Sequence, residues 1–279
     1  MKALADLGAD ALSGVTAVFT DIDDTLTTEG RLTAAAYDAL ERLAAAGLAV
    51  VPVTGRPAGW CDMIARFWPV AGVVGENGAF YFSYDRTARK MLSRFFATAE
   101  ERQVNRLRLT ALRERILQEV PGTGIASDQL YREADLAIDV CEDVAPLPRA
   151  EVDRVLHLFS EAGAIAKLSS IHVNGWFGDY DKLSMSRLFA HDILGFDLDA
   201  EKDRVVFVGD SPNDGPMFGF FPKSCGVAAV RDFPAGSMTL PAYVTEGHGG
   251  DGFVEVAERI LAARLQRFQH DETRHNLHA

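Results

Sequence analysis

Residues 15–25 read VTAVFTDIDDT, an apolar run that ends abruptly in three acids and a threonine. Val, Phe and Thr favour a buried β-strand, and a continuous apolar run bounded by polar residues is typical of a central strand in a parallel sheet. In open α/β sheets, ligands bind at the carboxyl ends of the strands, where Asp21 and Asp23 are expected. Carboxylates crowded at one place repel each other unless they are separated, protonated or held by a cation. The stretch therefore predicts a metal site at the end of a strand.

The chain as a whole is acidic and has enough apolar residues for a sizeable core. It has 279 residues, of which 48% are hydrophobic, and a formal net charge of −12 at pH 7. That charge disfavours nonspecific binding to nucleic acid or to an anionic membrane, because both require a positive surface. Cys61, Cys141 and Cys225 are far apart and indicate neither a disulfide framework nor a zinc site. The length favours two structural units.

No segment has the pattern of an export signal or a membrane span. Asp6 and Asp10 interrupt the apolar core that a secretory signal needs. No apolar run approaches the roughly 18 to 20 residues of a transmembrane helix. We therefore expect a cytoplasmic protein, a monomer or small homo-oligomer, that binds a small molecule and neither nucleic acid nor membrane.

The segments that follow the opening strand alternate between helix and strand. They are predicted at residues 34–46 (helix, capped by Thr33), 48–53 (strand), 57–67 (helix) and 70–74 (strand). The first of these strands ends in Thr54-Gly55 and the second leads into Glu76-Asn77. Strands alternating with helices describe a doubly wound parallel sheet, whose right-handed crossovers place these loops on one edge. Asp21, Thr54 and Asn77 are therefore expected to converge.

The pattern changes between residues 80 and 177, where only two helices interrupt a run of strands, and the alternation of helix and strand resumes from Lys182. The predicted elements are a hairpin over 79–84 and 91–96, a helix over 98–120, a strand over 136–141, a helix over 148–162, strands over 164–169 and 171–176, then a helix opened by Lys182, a strand over 204–208 and a C-terminal helix over 253–265. The middle of this series suggests an α+β insert with its own antiparallel sheet. We therefore predict an α/β core from residues 1–81 and 178–279, and an inserted α+β cap from residues 82–177.

Four polar groups stand at the ends of predicted strands or at the start of a helix. They are Asp21 and Asp23 in DIDDT, Thr54 and Gly55 in VTGR, Lys182, and Asp210 and Asp214 in GDSPND. In this order and context they resemble the four motifs of the haloacid dehalogenase superfamily. The large insertion between the threonine and the lysine resembles the branch with a big α/β cap, which includes sucrose-phosphate phosphatases and phosphomannomutases. The resemblance implies a Mg²⁺-dependent phosphatase that hydrolyses a small phosphomonoester, in particular a sugar phosphate.

The resemblance also implies a role for each residue of the acidic motifs. Asp21 would be the nucleophile that forms an aspartyl-phosphate intermediate, and Asp23 the general acid and base. Mg²⁺ would lie between Asp21, the backbone carbonyl of Asp23 and Asp210. Asp214 would support the metal shell through water or by orienting Lys182.

The remaining motif residues would bind the substrate. Thr54, through its hydroxyl, and Gly55, through its N–H, would hold phosphoryl oxygens. Lys182 would supply the compensating positive charge, and Asn213 a further hydrogen bond. Substrate choice is expected to depend on the cap and on four polar side chains, namely Glu76, Asn77, His172 and Asn174.

Three other polar features are interpreted as structural. Asp24 and Asp181 stand at a strand end or before a helix, where aspartate commonly serves as a helix cap. The glycine-rich segment GHGGDG over 247–252 lacks the lysine and the serine or threonine of a nucleotide-binding loop. It is interpreted as a flexible turn.

Two other functions stay open on the sequence. A phosphomutase with this type of cap would move a phosphoryl group between positions of a hexose, but it needs a second anion-binding group in the cap. The arginines of the insert are instead scattered along one helix of mixed charge. A noncatalytic sugar-phosphate sensor is the third reading, although a sensor has little reason to keep both Asp21 and Asp23.

Overall fold

The computed structural model describes the backbone of residues 1–169, 171–234, 236 and 238–277, and side chains as far as residue 267 within those ranges. The chain divides into two compact units. The first unit contains Met1–Pro52, Pro69–Ala71 and the chain from Ala190 onward, and the second contains Val53–Trp68 and Gly72–Phe189. These boundaries differ from the predicted core and cap, whose limits near residues 81 and 177 stay predictions.

Strands and helices of both units are numbered in chain order. The strands are β1 (Lys2–Ala3), β2 (Ala17–Thr20), β3 (Thr27–Thr28), β4 (Arg31–Leu32), β5 (Ala49–Pro52), β6 (Val73–Gly75), β7 (Phe80–Asp85), β8 (Lys90–Phe95), β9 (Gly124–Ile125), β10 (Asp135–Asp139), β11 (Ile165–Leu168), β12 (His172–Trp176), β13 (Val205–Gly209), β14 (Ser224–Gly226) and β15 (Tyr243–Val244). The helices are α1 (Ala9–Ser13), α2 (Ala34–Ala45), α3 (Ala58–Phe67), α4 (Ala99–Glu119), α5 (Arg149–Glu161), α6 (Lys182–Phe189), α7 (Leu198–Glu201), α8 (Gly215–Phe220) and α9 (Gly249–Leu277). Among the described helices, none combines the length and the apolar character needed to cross a bilayer.

The first unit is built on a parallel sheet with the strand order β1-β15-β14-β13-β2-β5. The opening stretch forms β2, which is buried along its whole length, and Thr20 lies opposite Val208 of β13. From β2 the chain winds toward β5, and from β13 it winds the other way toward β14 and β15. The winding direction therefore reverses between β2 and β13, which is where doubly wound sheets bind their ligands.

In the first unit, the predicted start of helix α2 is correct, whereas that of helix α9 is not. Thr33 accepts a hydrogen bond from the N–H of Ala36 at 3.2 Å and so caps α2 as predicted. Helix α9 begins at Gly249, four residues before the predicted start, so the glycine-rich segment is in part the first turn of a helix. The N–H of Gly250 donates to the hydroxyl of Thr28 at 3.1 Å, a long-range contact that satisfies one donor of this first turn.

The second unit contains two antiparallel sheets, with the strand orders β6-β7-β8 and β11-β12-β10-β9. The second of these, called here the insert sheet, packs one face against α4 and α5 through a buried apolar cluster that includes Leu112, Leu136 and Val155. The opposite face carries polar residues of β10 and β12, among them Asp135 and Asn174, and these are also buried. The predicted α+β character of this segment is confirmed.

Candidate active site

Three buried aspartates meet at the carboxyl ends of the two central strands of the first unit. Asp21 follows β2, Asp210 follows β13, and Asp214 lies one turn further on. Carboxylate oxygens of the three lie within 4.8 Å of one another. The pairing of β2 with β13 continues past the strands, because the N–H of Asp21 donates to the carbonyl of Val208 at 2.9 Å. The topology of the sheet therefore brings together residues that are nearly 190 positions apart in the sequence.

Hydrogen bonds fix the direction of two of these carboxylates. Asp214 Oδ2 accepts from the N–H groups of Asp210 at 3.0 Å and Ser211 at 3.3 Å, so this carboxylate folds back over the loop. A Cβ on Gly209 would lie 2.4 Å from Asp214 Oδ2, which explains the glycine at this position. Asp210 Oδ1 accepts from the hydroxyl of Thr25 at 3.1 Å. The loop after β13 therefore holds both of its acids, Asp210 and Asp214, in defined orientations.

The donor set of this cluster fits a small, hard cation. Carboxylate oxygens are the ligands that Mg²⁺ prefers, and one or two carboxylates with waters and substrate oxygens commonly complete its octahedron. A divalent cation also relieves the repulsion among three acids at this distance. Asp23 is half-buried and lies outside the cluster of three carboxylates, so its expected contribution through the backbone carbonyl stays a prediction.

Two more predicted residues lie near the acids in sequence. Asn213 is buried, and its Oδ1 accepts from the hydroxyl of Ser211 at 2.7 Å, which leaves its Nδ2 as the end suited to donate to an anion. Asp24 has a φ of 54° and its N–H donates to the Thr27 hydroxyl at 3.0 Å. The next helix begins only at Ala34, so the interpretation of Asp24 as a helix cap is wrong.

In the second unit, Thr54 and Gly55 form a loop whose backbone is tightly held. The N–H of Thr54 donates to Val74 at 2.9 Å, and its carbonyl accepts from the N–H of Asn77 at 3.0 Å. The Thr54 hydroxyl accepts from the N–H of Arg56 at 3.0 Å. A hydroxyl has one proton and two lone pairs, so this bond leaves the proton to donate to another group. The loop is therefore suited to bind an oxyanion through the hydroxyl.

Lys182 is the first residue of α6 and is almost fully buried. Asp181 precedes it and accepts from the N–H of Ser184 at 2.7 Å, which confirms Asp181 as a helix cap. The turn Glu76–Gly78 lies against this helix start, since a Cβ on Gly78 would come within 2.0 Å of the Asp181 carbonyl oxygen. Gly78 also has a φ of 106°, so both sterics and backbone conformation require glycine.

The predicted site residues therefore fall into two groups. Asp21, Asp23, Asp210, Asn213 and Asp214 belong to the first unit. Thr54, Gly55 and Lys182 belong to the second unit, together with the residues expected to select the substrate. Each group is brought together within its own unit, and the convergence of the two groups stays a prediction.

Asn77 stands out among the residues expected to contact substrate. It has a left-handed backbone with φ 55°, and so does Glu76 before it with φ 44°. Non-glycine residues in this region cost about 1 to 3 kcal/mol each and cluster at functional sites. Asn77 Oδ1 is buried, and within the described part of the chain it accepts no hydrogen bond. A buried amide oxygen of this kind is suited to accept from a ligand hydroxyl.

Glu76 has a different role from the one the sequence suggested. Its two carboxylate oxygens accept hydrogen bonds from four backbone N–H groups, those of Ala58, Glu133, Ala134 and Asp135, at 2.6 to 3.2 Å. Burial raises the pKa of Glu76 to about 8 and the nearby Asp135 carboxylate adds to the rise, while Arg132 and two of the N–H groups oppose it. Glu76 therefore joins three backbone segments of the second unit.

The raised pKa of Glu76 predicts how stability depends on pH. In the folded protein Glu76 keeps its proton up to about pH 8, whereas its ordinary pKa is 4.5. Its contribution is therefore complete below about pH 4.5 and decreases as the pH rises toward about 8, by up to about 1.4 kcal/mol per pH unit. Glu76→Gln is expected to lower the free energy of unfolding but to flatten this dependence. Urea unfolding between pH 5 and 8.5 measures both; equal slopes for the two proteins would contradict the assignment.

His172 and Asn174 lie on the buried polar face of the insert sheet. Asn174 Nδ2 donates to Asp135 at 2.9 Å, and His172 Nε2 lies 2.8 Å from a carboxylate oxygen of Glu142. Burial, and then the charge of Arg132, lower the pKa of His172. Asn174 is thus engaged within the second unit, and contact of either side chain with substrate stays a prediction.

Two residues of these networks were missed in the sequence. Thr25 ends the DIDDT motif, and its position two residues after Asp23 was the available signal for a role beside the acids. Arg132 lies in a polar stretch of the sequence, yet its side chain is buried between two aspartates. Its only sequence signal is a cluster of charges directly before the apolar strand β10, which many surface segments share.

The acid cluster lies at the switch point of the doubly wound sheet, where such folds bind their ligands. Residues 18–107 match the model of the family described as haloacid dehalogenase-like hydrolase. The matched residues include most of strand β2, the DIDDT stretch and the Thr54-Gly55 loop.

Individual proteins resemble the chain over most of its length. A phosphoglycolate phosphatase from Methanoculleus marisnigri is 26% identical over 255 residues, which cover 89% of this chain and 97% of that protein. Among solved structures, a HAD/COF-like hydrolase from Plasmodium vivax has a TM-score of 0.65 at 19% identity, with 92% of this chain and 98% of that chain covered. The sucrose-phosphatase from Synechocystis has a TM-score of 0.61 at 11% identity, with 88% and 97% covered. These structural similarities show the fold.

Proposed function

We propose that the protein is a Mg²⁺-dependent phosphatase that hydrolyses a small phosphomonoester, in particular a sugar phosphate, through an aspartyl-phosphate at Asp21. The observation that carries this proposal is the buried cluster of Asp21, Asp210 and Asp214 at the switch point of the parallel sheet. The phosphoglycolate phosphatase and the sucrose-phosphatase that resemble this chain support a small phosphorylated substrate.

The chemistry follows from the side chains. The Asp21 carboxylate attacks phosphorus, so that a bond from its oxygen to phosphorus forms while the bond to the leaving oxygen breaks. Asp23 gives its proton to the leaving oxygen and then takes one from the water that hydrolyses the aspartyl-phosphate. Bound Mg²⁺ would be held by Asp21 and Asp210 with support from Asp214, and would neutralise phosphoryl charge.

The phosphoryl group is bound by residues from both predicted groups. The Thr54 hydroxyl, the Gly55 N–H, the Asn213 amide and the Lys182 ammonium donate to its oxygens, where charge is spread in a loose transition state. Residues 82–177 serve as a cap that keeps bulk water from the reaction. Asn77 Oδ1 accepts from a substrate hydroxyl, whereas Glu76 acts through the turn that it holds.

One screen tests the proposed function. The purified protein is assayed for phosphate release from sugar phosphates, phosphoglycolate and other small phosphomonoesters, with Mg²⁺ and with EDTA. We expect Mg²⁺-dependent release from at least one member of the panel. Interconversion of hexose phosphates without phosphate release would instead indicate a phosphomutase, and binding without turnover would indicate a sensor.

A further inference from the structure

Arg132 is a buried cation, and each of its three guanidinium nitrogens donates to an acceptor within the second unit. Its side chain is 1% exposed. Nε and one terminal nitrogen donate to the two oxygens of Asp128 at 2.9 and 3.1 Å. The other terminal nitrogen, Nη1, lies 3.0 and 3.1 Å from the oxygens of Asp135. Two carboxylates therefore pair with this guanidinium, as a buried charge requires.

Nη1 of Arg132 also donates to the carbonyl of Gly55 at 2.9 Å. Because Asp128 and Asp135 already compensate its charge, this bond is not needed for neutralisation. It instead joins Arg132 to the loop that we propose binds the phosphoryl group. The accepting carbonyl belongs to the peptide between Gly55 and Arg56, and the N–H of that same peptide donates to the Thr54 hydroxyl at 3.0 Å. One peptide plane is therefore held at both of its ends.

This peptide controls where the Thr54 proton points. The hydroxyl oxygen uses one lone pair to accept from Arg56, so the direction of its O–H bond is set by the orientation of the Gly55–Arg56 peptide. If the Gly55 carbonyl lost its partner, the peptide could rotate and both the Thr54 hydroxyl and the adjacent Gly55 N–H would lose their fixed aim. A misplacement of a donor by a fraction of an ångström is enough to weaken oxyanion stabilisation.

The segment that carries Arg132 is itself fixed. Glu76 accepts from the N–H groups of residues 133, 134 and 135 and, through the same carboxylate, from the N–H of Ala58 at the start of α3. Ala58 is only three residues after Gly55. The guanidinium and the loop that it contacts are thus both tied to Glu76, which makes the contact rigid at each end.

We propose that Arg132 is a positioning residue of the phosphatase site: it fixes the Gly55–Arg56 peptide and thereby aims the Thr54 hydroxyl and the Gly55 N–H at the phosphoryl group. This inference rests on the proposed function. Arg132 touches no substrate atom and acts only through the loop. A lysine could keep the charge near the aspartates, but it has no planar fork with which to bond Asp128, Asp135 and Gly55 together.

The test compares Arg132→Lys with Val155→Ala, which removes buried methyl groups from the core between α5 and the insert sheet and so controls for lost stability. We expect Arg132→Lys to lower kcat/KM for the best substrate 10- to 100-fold, and to weaken inhibition by inorganic phosphate at least 5-fold. Val155→Ala is expected to change both by less than 3-fold although it unfolds at a lower temperature. Equal activity losses in the two variants would overturn the proposal.

A double-mutant cycle with Thr54→Val separates positioning from a purely structural role. Because Arg132 is proposed to aim both the Thr54 hydroxyl and the Gly55 N–H, the loss caused by Arg132→Lys should be at least 3-fold smaller in Thr54→Val than in the wild type, and the remaining loss reflects the Gly55 N–H. Additive losses would contradict the inference. If Arg132→Lys does not fold, as judged by circular dichroism, the same cycle is run with Asp135→Asn, with the same two outcomes. A wild-type protein that releases phosphate from no substrate would refute the proposed function itself, which is a distinct result.

Discussion

Asp21→Asn is expected to lower phosphomonoester turnover by roughly 10³-fold or more, because an amide cannot attack phosphorus as a carboxylate does. Asp21 is placed for this role by β2, whose pairing with β13 sets the position of the residue directly after the strand. The substitution keeps size and shape, so the fold should persist. Steady-state phosphate release under saturating Mg²⁺ measures the loss, and circular dichroism checks the fold.

Asp24→Asn is the matched control for this substitution. Asp24 lies three residues further along in the same loop with a φ of 54°, a conformation that asparagine adopts readily. We expect the turnover of Asp24→Asn to stay within about 3-fold of the wild type. This loss is far smaller than the one expected when a nucleophile is replaced. Undiminished turnover by Asp21→Asn, or an equal loss in both variants, would rule out Asp21 as the nucleophile.

Asp23→Asn separates proton transfer from nucleophilic attack. A general acid matters most when the leaving oxygen is strongly basic, as in a sugar alcohol, and little when the leaving group is a nitrophenolate. The loss for Asp23→Asn should therefore be about 10-fold or more larger with an alkyl phosphate than with p-nitrophenyl phosphate. For Asp21→Asn the losses on the two substrates should be similar. Equal losses of Asp23→Asn on both substrates would remove the assignment of a general acid.

The sequence predicted those elements whose ends carry local signals. Helix α2 was expected over residues 34–46 and spans Ala34–Ala45, because Thr33 caps its start and Gly47 ends it with a φ of 80°. The acid cluster was also predictable, since strand ends in a doubly wound fold share one edge and the DIDDT and GDSPND loops both follow apolar runs.

Features that depend on distant contacts were not predictable. Helix α9 begins early because Thr28 bonds its first turn, and no local pattern contains that information. Strands β3 and β4 are two residues each, too short to show any alternation. Glu76 was expected at the substrate because it stands in a polar loop, yet its carboxylate is saturated by N–H groups from segments up to 59 residues away. Arg132 escaped notice for the same reason.

Removal of Mg²⁺ is expected to reduce turnover to background, and its return to restore it. The three carboxylates within 4.8 Å of one another offer hard oxygen ligands, and without the cation the same charges repel the phosphoryl group. Binding should also be visible without catalysis, since a ligand at 100 times its Kd stabilises the folded protein by about 2.7 kcal/mol. The melting temperature is therefore measured in EDTA and across a Mg²⁺ titration, in parallel with activity.

Two substitutions place this effect at the proposed ligands. Asp210→Asn removes one charged ligand and should raise the Mg²⁺ concentration for half-maximal activity by about 100-fold or more, while Thr25→Val, which removes the hydroxyl that orients Asp210, should raise it by about 10-fold. Thr25→Ser keeps the hydroxyl and should resemble the wild type. Thr25→Val and Asp210→Asn should also weaken the Mg²⁺-dependent shift in melting temperature in the same order. Full activity in EDTA would exclude a requirement for the metal. Unchanged Mg²⁺ dependence in Asp210→Asn would place the metal elsewhere, because a ligand cannot be neutralised without a loss of affinity.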